Sequence, residues 1–262
     1  MSTADGWLSG RGVIMTAAAA GIGRVVADAF VRQGARVHLC DVDEAAVADA
    51  GASSPLITAS RVDLADAEAI ERWLSVTIDA LGVVDVLVNN AGTKGPTAFV
   101  EHVTDAEWSH CLSVSLDSHF RCARRVAPVM KVQRHGSIIN MSSMAGVYGY
   151  GMRSPYAVAK WAIIGLTKSL AIELGPHDVR CNAICPGSVA GPRMDAVIAA
   201  EAARRGISEG QVEHEYLAGQ SIKRFVEPSE IADLCLFLST PASRMITGQA
   251  IAIDGHTEAY HL

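Results

Sequence analysis

Short apolar runs rich in β-branched residues recur along the chain at positions 12–16, 36–40, 56–60, 85–89, 137–141, 179–184 and 250–253. Each is too short for a packed helix and reads as a buried strand. Between them lie stretches whose apolar residues recur at helical spacing, at 22–33, 66–81, 104–130, 155–174 and 228–239. Parallel neighbours need right-handed crossovers that place helices outside the sheet. Strict strand–helix alternation therefore predicts an α/β protein, with a doubly wound, seven-stranded parallel sheet covered on both faces. One stretch breaks the rhythm. Residues 191–226, rich in Ala, Glu and Arg and carrying Pro192 and Gly206, sit between the last two strands. They read as a helical lid, the kind of insertion that closes over substrate in α/β enzymes.

Composition narrows this further. At 262 residues and 50% hydrophobic content the chain fits a single domain, 1–262, with a full core. The net charge of -6 comes with scattered Lys and Arg, so there is no electrostatic footprint for nucleic acid. The short basic clusters, such as Arg121/Arg124/Arg125, read as solvated faces or subunit contacts. Six dispersed cysteines form no C-x-x-C pair and read as reduced core residues; His256 and His261 stand alone, and no metal is expected. Asp5 stands where a secretory signal would carry basic residues, and Lys160 and Lys168 interrupt the best apolar stretch. A cytoplasmic protein with no membrane span is expected.

Candidate chemistry begins just after the first strand, where Thr16-Ala-Ala-Ala-Ala-Gly21-Ile22-Gly23 leads into a helix. Glycines there let the backbone approach a pyrophosphate, whose charge is favoured by the free N–H groups and dipole of the helix start. Asp41 falls at the end of the second strand, where a carboxylate accepts hydrogen bonds from adenosine ribose hydroxyls and repels the extra phosphate of NADP. Ala20 and Val42 occupy positions where a cation could hold that phosphate, and Arg24 is the one cation nearby. NAD is the expected cofactor.

Tyr156 and Lys160 open the fourth helical stretch at i,i+4 spacing, which puts phenol and ammonium on one face. A phenol is a poor base near neutrality, but a neighbouring cation favours its phenolate. Ser143 follows the fifth strand at the carboxyl edge, where open α/β sheets bind ligands. Asn89-Asn90-Ala91-Gly92 and the segment from Asn182 to Gly187 end two further strands at that edge.

These motifs together resemble the short-chain dehydrogenase/reductase superfamily from about residue 8 onward: TAAAAGIG (16–23), Asp41, Asp63, NNAG (89–92), Ser143, Tyr156/Lys160, CPG (185–187) and ITGQ…DG (246–255). The resemblance implies a Rossmann-like domain, usually a homotetramer, that oxidises alcohols or reduces ketones. It also implies cofactor contacts at Thr16, Gly21, Ile22, Gly23, Asp41, Asp63, Leu64, Asn90, Ala91, Gly92, Tyr156, Lys160, Pro186, Gly187 and Val189. Within these, Asp63 would meet the adenine, Asn90 would order the central strands, and Pro186-Gly187 would flank the nicotinamide.

The chain departs from the family pattern at three places. Ala17 replaces the first glycine of T-G-x-x-x-G-x-G, an exchange of little cost if that position takes a negative φ. Ser115 stands where the family has the asparagine that anchors a water linked to the active-site lysine; serine keeps a donor and an acceptor but is shorter. Gly191 replaces the threonine after Pro-Gly, leaving the carboxamide contact to backbone or Ser188.

The expected mechanism has Ser143 and Tyr156 holding the substrate hydroxyl, Tyr156 taking its proton, and Lys160 relaying it outward through Ser115. A catalytically weak NAD-binding sensor or scaffold is the alternative, motivated by Ser115 and Ala17. For the substrate, Lys94, Arg153 and Arg193 point to an anion such as a hydroxy acid or sulfonate. Tyr148, Tyr150 and Met152 equally suit an apolar pocket for a cyclic alcohol.

Overall fold

The computed structural model describes residues 8–257; His261 lies outside them. Along the chain run β1 (Gly12–Thr16), α1 (Gly21–Arg32), β2 (Arg36–Asp41), α2 (Glu44–Ser53), β3 (Ile57–Arg61), α3 (Ala67–Leu81) and β4 (Val86–Asn89). Then come α4 (Asp105–Leu112), a π-helical segment (Ser113–Asp117), α5 (Ser118–Gln133), β5 (Gly136–Met141), α6 (Ser154–Leu174) and β6 (Val179–Pro186). The chain finishes with α7 (Pro192–Arg205), α8 (Glu209–Ala218), α9 (Pro228–Leu238) and β7 (Ala250–Ile253).

The strands form one seven-stranded sheet in the order β3-β2-β1-β4-β5-β6-β7, and every pairing is parallel. Side chains alternate across it. Val13 and Met15 pack toward α1 and α9, against Phe30, Ile231 and Leu238, while Ile14 packs on the opposite face toward α3 and α5, with Trp73, Leu74 and Val126. Both faces are thus covered by helices, as the alternation predicts. Between β1 and β4 the winding reverses, and a crevice opens there at the carboxyl ends of the strands.

The long helix expected over 104–130 is interrupted. Its α4 part starts on a Thr104–Glu107 capping box, the π-helical segment follows, and α5 runs through Pro128 to Gln133. The lid is two helices, α7 and α8, tied by a bidentate pair in which Arg205 donates to Glu215 at 2.6 and 2.9 Å. Helix α2 is an addition to the sequence-based set: Asp43 caps it, but only Ala50 is buried, so it has no apolar stripe to betray it. Among the described residues no helix is long and apolar enough to cross a membrane.

Candidate active site

The loop after β1 is built on backbone. Gly21 has φ 57°, and a Cβ there would point into open space, which leaves the peptide free to approach a ligand. Gly23 is confined instead: a Cβ would stand 2.6 Å from Asn90 Nδ2 and 2.7 Å from Ala18 Cα, so only glycine fits. Asn90 Nδ2 donates to the Ala17 carbonyl at 2.7 Å, and Thr16 Oγ1 accepts from Asn90 N and Ala91 N at 3.0 and 3.2 Å. The strand-to-helix loop and the 89–92 turn are thereby locked together.

Ala17 itself has φ 50°. The negative φ that would make this exchange harmless is not what the backbone adopts. A Cβ in the left-handed region costs on the order of 1 kcal/mol, and the Asn90 bond to the Ala17 carbonyl is among the contacts that hold it there.

The Asp41 carboxylate is aimed by three backbone donors, Ala19 N at 3.2 Å, Val42 N at 2.8 Å and Asp43 N at 3.3 Å. Arg24 is committed elsewhere, to Asp28 at 3.0 Å and Asp49 at 3.1 Å. Asp63 is exposed and accepts from Ala65 N, with Leu64 buried beside it; Ile22 is half-buried on α1. On the far side of the crevice Gly187 N donates to the Ile253 carbonyl, and a Cβ on Gly187 would press on Asp254 at 2.8 Å. Pro186 ends β6, and Val189 pairs with Val226 at the root of the lid.

Tyr156, Lys160 and Ser143 gather at this same edge. Lys160 is only 4% exposed; its Nζ donates to the Met141 carbonyl at the end of β5 at 2.7 Å and lies 5.7 Å from the centre of the Tyr156 ring. Burial disfavours its charge, and the positive charge of Arg193 adds to that, so its pKa is lowered to about 8. Ser143 is half-buried and accepts from Ala145 N at 3.1 Å. Its neighbour Ser142, which the sequence reading passed over, donates to the Lys160 carbonyl at 2.8 Å and so ties the edge of β5 to α6.

Ser115 is fully buried in the π-helical segment. Its Oγ accepts from Thr93 N at 3.1 Å and bonds the Cys111 thiol, whose pKa is raised by burial and partly restored by that bond. Gly92 sits between the serine and the lysine: its Cβ would stand 3.2 Å from Lys160 Nζ and 3.8 Å from Ser115 Oγ. The two side chains therefore flank one spot beneath the turn.

The expected substrate residues divide. Arg153 donates through Nε and Nη2 to the Lys94 carbonyl at 3.1 and 2.7 Å, and its guanidinium lies 5.4 Å from the Tyr150 ring and 5.3 Å from the Tyr156 ring. It forms a strut between the loop after β4 and the start of α6. The side chain of Lys94 is exposed, as are Arg193 and Met152, the last at φ 59°. Tyr216, which sequence reasoning missed, comes from α8; it donates to Glu201 at 3.2 Å, and burial with the negative charge of Glu201 and the Tyr150 phenol raises its pKa. Among the described residues no three His, Cys, Asp or Glu side chains converge as a metal site.

Relatives fit this geometry. The profile of the family described as Enoyl-(Acyl carrier protein) reductase matches residues 16–256. A probable galactose dehydrogenase of Rhizobium meliloti is 37% identical over 95% of both chains. From the same organism, D-beta-hydroxybutyrate dehydrogenase is 35% identical over 92% of this chain and 96% of its own. A 2-keto-3-deoxy-L-fuconate dehydrogenase of Xanthomonas campestris is 37% identical over 95% of this chain and 80% of its own. Among solved structures, NAD+-bound xylitol dehydrogenase superposes with a TM-score of 0.88 at 26% identity, over 95% of this chain and 99% of that one. The chain belongs to the short-chain dehydrogenase/reductase superfamily and is an oxidoreductase that acts on CH–OH groups.

Proposed function

We propose that the protein uses NAD to interconvert a small, negatively charged secondary alcohol and its ketone, with Tyr156 as the proton-transfer residue. The observation that carries this is buried Lys160, whose Nζ lies 5.7 Å from the centre of the Tyr156 ring and beside Gly92 of the 89–92 turn, with Ser143 following the end of β5. NAD fits the residues present: the open backbone at Gly21 suits a pyrophosphate, and the Asp41 carboxylate suits ribose hydroxyls. The 2′-phosphate of NADP would meet that carboxylate, with Arg24 already paired. Asp63 and Leu64 would border the adenine, Ala91 and Gly92 the nicotinamide ribose, and Pro186, Gly187 and Val189 the nicotinamide.

The nicotinamide, when bound, supplies hydride chemistry. The chain's own groups do the rest. Ser143 Oγ holds the substrate oxygen, Tyr156 takes the hydroxyl proton during oxidation, and Lys160 keeps positive charge against the Tyr156 ring as that ring gains negative charge. The proton leaves past Lys160 and Ser115. With Arg153 bound to the Lys94 carbonyl, the cations left to face an acidic substrate are Lys94 and Arg193. D-beta-hydroxybutyrate dehydrogenase and 2-keto-3-deoxy-L-fuconate dehydrogenase are relatives named for acids, in line with this choice.

Nicotinamide absorbance growth with a panel of hydroxy acids and neutral polyols, run with NAD and with NADP, tests the reading. We expect higher kcat/KM with NAD and with hydroxy acids. Preference for NADP would overturn the role of Asp41, and preference for polyols would overturn that of Lys94 and Arg193. We also propose a homo-oligomer, because Phe120 on α5 and Val158 and Trp161 on α6 leave apolar surface exposed. Light scattering after size exclusion checks it, and a monomer would overturn it. Six free, buried cysteines suit a reducing, cytoplasmic compartment.

A further inference from the structure

A buried polar seam runs from α6 through β5 and β4 to α5, and no catalytic step above uses it. Thr167 Oγ1 donates to the Ile163 carbonyl at 2.8 Å, Asn140 Nδ2 donates to Thr167 Oγ1 at 2.9 Å, and Asn89 Nδ2 donates to Asn140 Oδ1 at 2.9 Å. A carbonyl only accepts, so the Ile163 end fixes the sense of each bond. The threonine hydroxyl must point at Ile163, the Asn140 amide nitrogen at Thr167, and the Asn89 amide nitrogen at Asn140. Asn89 Oδ1 is then a buried acceptor with no protein donor.

The same reasoning applies from the other end. His119 Nε2 lies 3.0 Å from the Ala91 carbonyl, which also only accepts, so Nε2 carries the hydrogen. Nδ1 is therefore a lone-pair acceptor, and it too is buried with no protein donor. Asn89 and His119 are each 0% exposed, and they adjoin, with Asn89 Nδ2 3.5 Å from the His119 carbonyl.

We infer that this seam holds a resident water that donates one O–H to Asn89 Oδ1 and the other to His119 Nδ1. Two acceptors cannot satisfy each other, and a buried acceptor left bare is destabilising. Water is the smallest neutral molecule that brings two donors to one point. The other remedy, a protonated His119, is closed off: burial and the nearby charge of Lys160 lower its pKa to about 3. The water completes a continuous chain of hydrogen bonds from the Ile163 carbonyl to the Ala91 carbonyl. His119 becomes a positioning residue, clamping Ala91 from α5 while Thr16 Oγ1 holds the Ala91 N–H from β1.

A high-resolution crystal structure of the full chain with NAD, paired with histidine nitrogen NMR, tests this. We expect a density peak within about 3.2 Å of both Asn89 Oδ1 and His119 Nδ1, and a neutral Nε2–H tautomer for His119 throughout pH 5 to 9. His119→Phe, which removes both the Nδ1 acceptor and the clamp on Ala91, should empty the peak and weaken NAD binding severalfold. His119→Asn, which can restore a polar atom near the Nδ1 position, should recover part of that loss. A dry seam, a peak with the ligand distances of a metal cation, or a proton on Nδ1 would each overturn the inference. So would unchanged NAD affinity in His119→Phe, for the positioning role.

Discussion

The two edges of the sheet are built on opposite terms. At the amino edge the polar groups answer one another: Asp85 accepts from Arg11 at 2.7 Å and from Gly12 N at 2.8 Å and meets His135 at 3.1 Å, while Gln133 pairs with both backbone groups of Val84 at 2.9 Å. At the carboxyl edge the chain keeps what folding alone would discard. Ala17 and Met152 sit at positive φ, Lys160 is a buried cation, and Asn89 and His119 present acceptors that no protein donor meets. Positive φ occurs at the amino edge too, at Arg134 and Asp178; what sets the carboxyl edge apart is a buried charge and buried acceptors without protein donors, which the rest of the structure must offset. Such a division predicts that changes at one edge touch stability and at the other function.

Tyr156→Phe should break the comparison most sharply. It is expected to lower kcat by about 10²- to 10⁴-fold with NAD affinity and Tm nearly unchanged; undiminished turnover would remove Tyr156 from the chemistry. Lys160 comes next. Because its pKa is about 8 in the fold against an ordinary 10.5, the unfolded chain binds more protons between those values. The cost of burying its charge is therefore present below pH 8 and is relieved as pH rises toward 10.5. Wild type should gain stability relative to Lys160→Met across that window in denaturant titrations, while its turnover falls as the ammonium discharges. A flat stability difference between the two proteins would contradict this.

Asp85→Ala strikes the other edge. Loss of an acceptor for Gly12 N and Arg11 is expected to cost about 2 kcal/mol, or about 5 °C in Tm, with kcat/KM intact. Smallest of all, Ala17→Gly should raise Tm by about 2 °C, since glycine takes positive φ without the Cβ penalty. A drop in Tm would mean that the position is not strained.

How much of this the sequence foretells follows the same division. The seven strands, most of the helices and the lid are legible because buried parallel strands and amphipathic helices leave apolar periodicity, and the strand ends differ by only a residue or two, while the 104–130 stretch runs on to Gln133. Helix α2 leaves none, with only Ala50 buried. The glycine loop, Asp41 and the Tyr156/Lys160 pair are legible because their chemistry depends on residue type and spacing. What stays hidden depends on where a side chain's bonding capacity goes. The bonds that Arg153 makes to the Lys94 carbonyl are written in no residue type or spacing. The sign of φ at Ala17 depends on contacts across the sheet, such as that with Asn90. His119 could have been noticed only as an unusual polar residue among apolar ones on a core-facing helix.

The π-helical segment between α4 and α5 sets a limit on length as well as on shape. A one-residue change in a helix rotates everything beyond it by about 100°. Residues 118, 119, 122, 126 and 130 of α5 face the core only in the register that Ser113–Asp117 sets. Deleting a single residue there would bring Phe120, Ala127 and Lys131 to the places of His119, Val126 and Met130 and turn His119 away from Ala91. Sequence drift can exchange side chains in this segment, but its residue count is not free to vary.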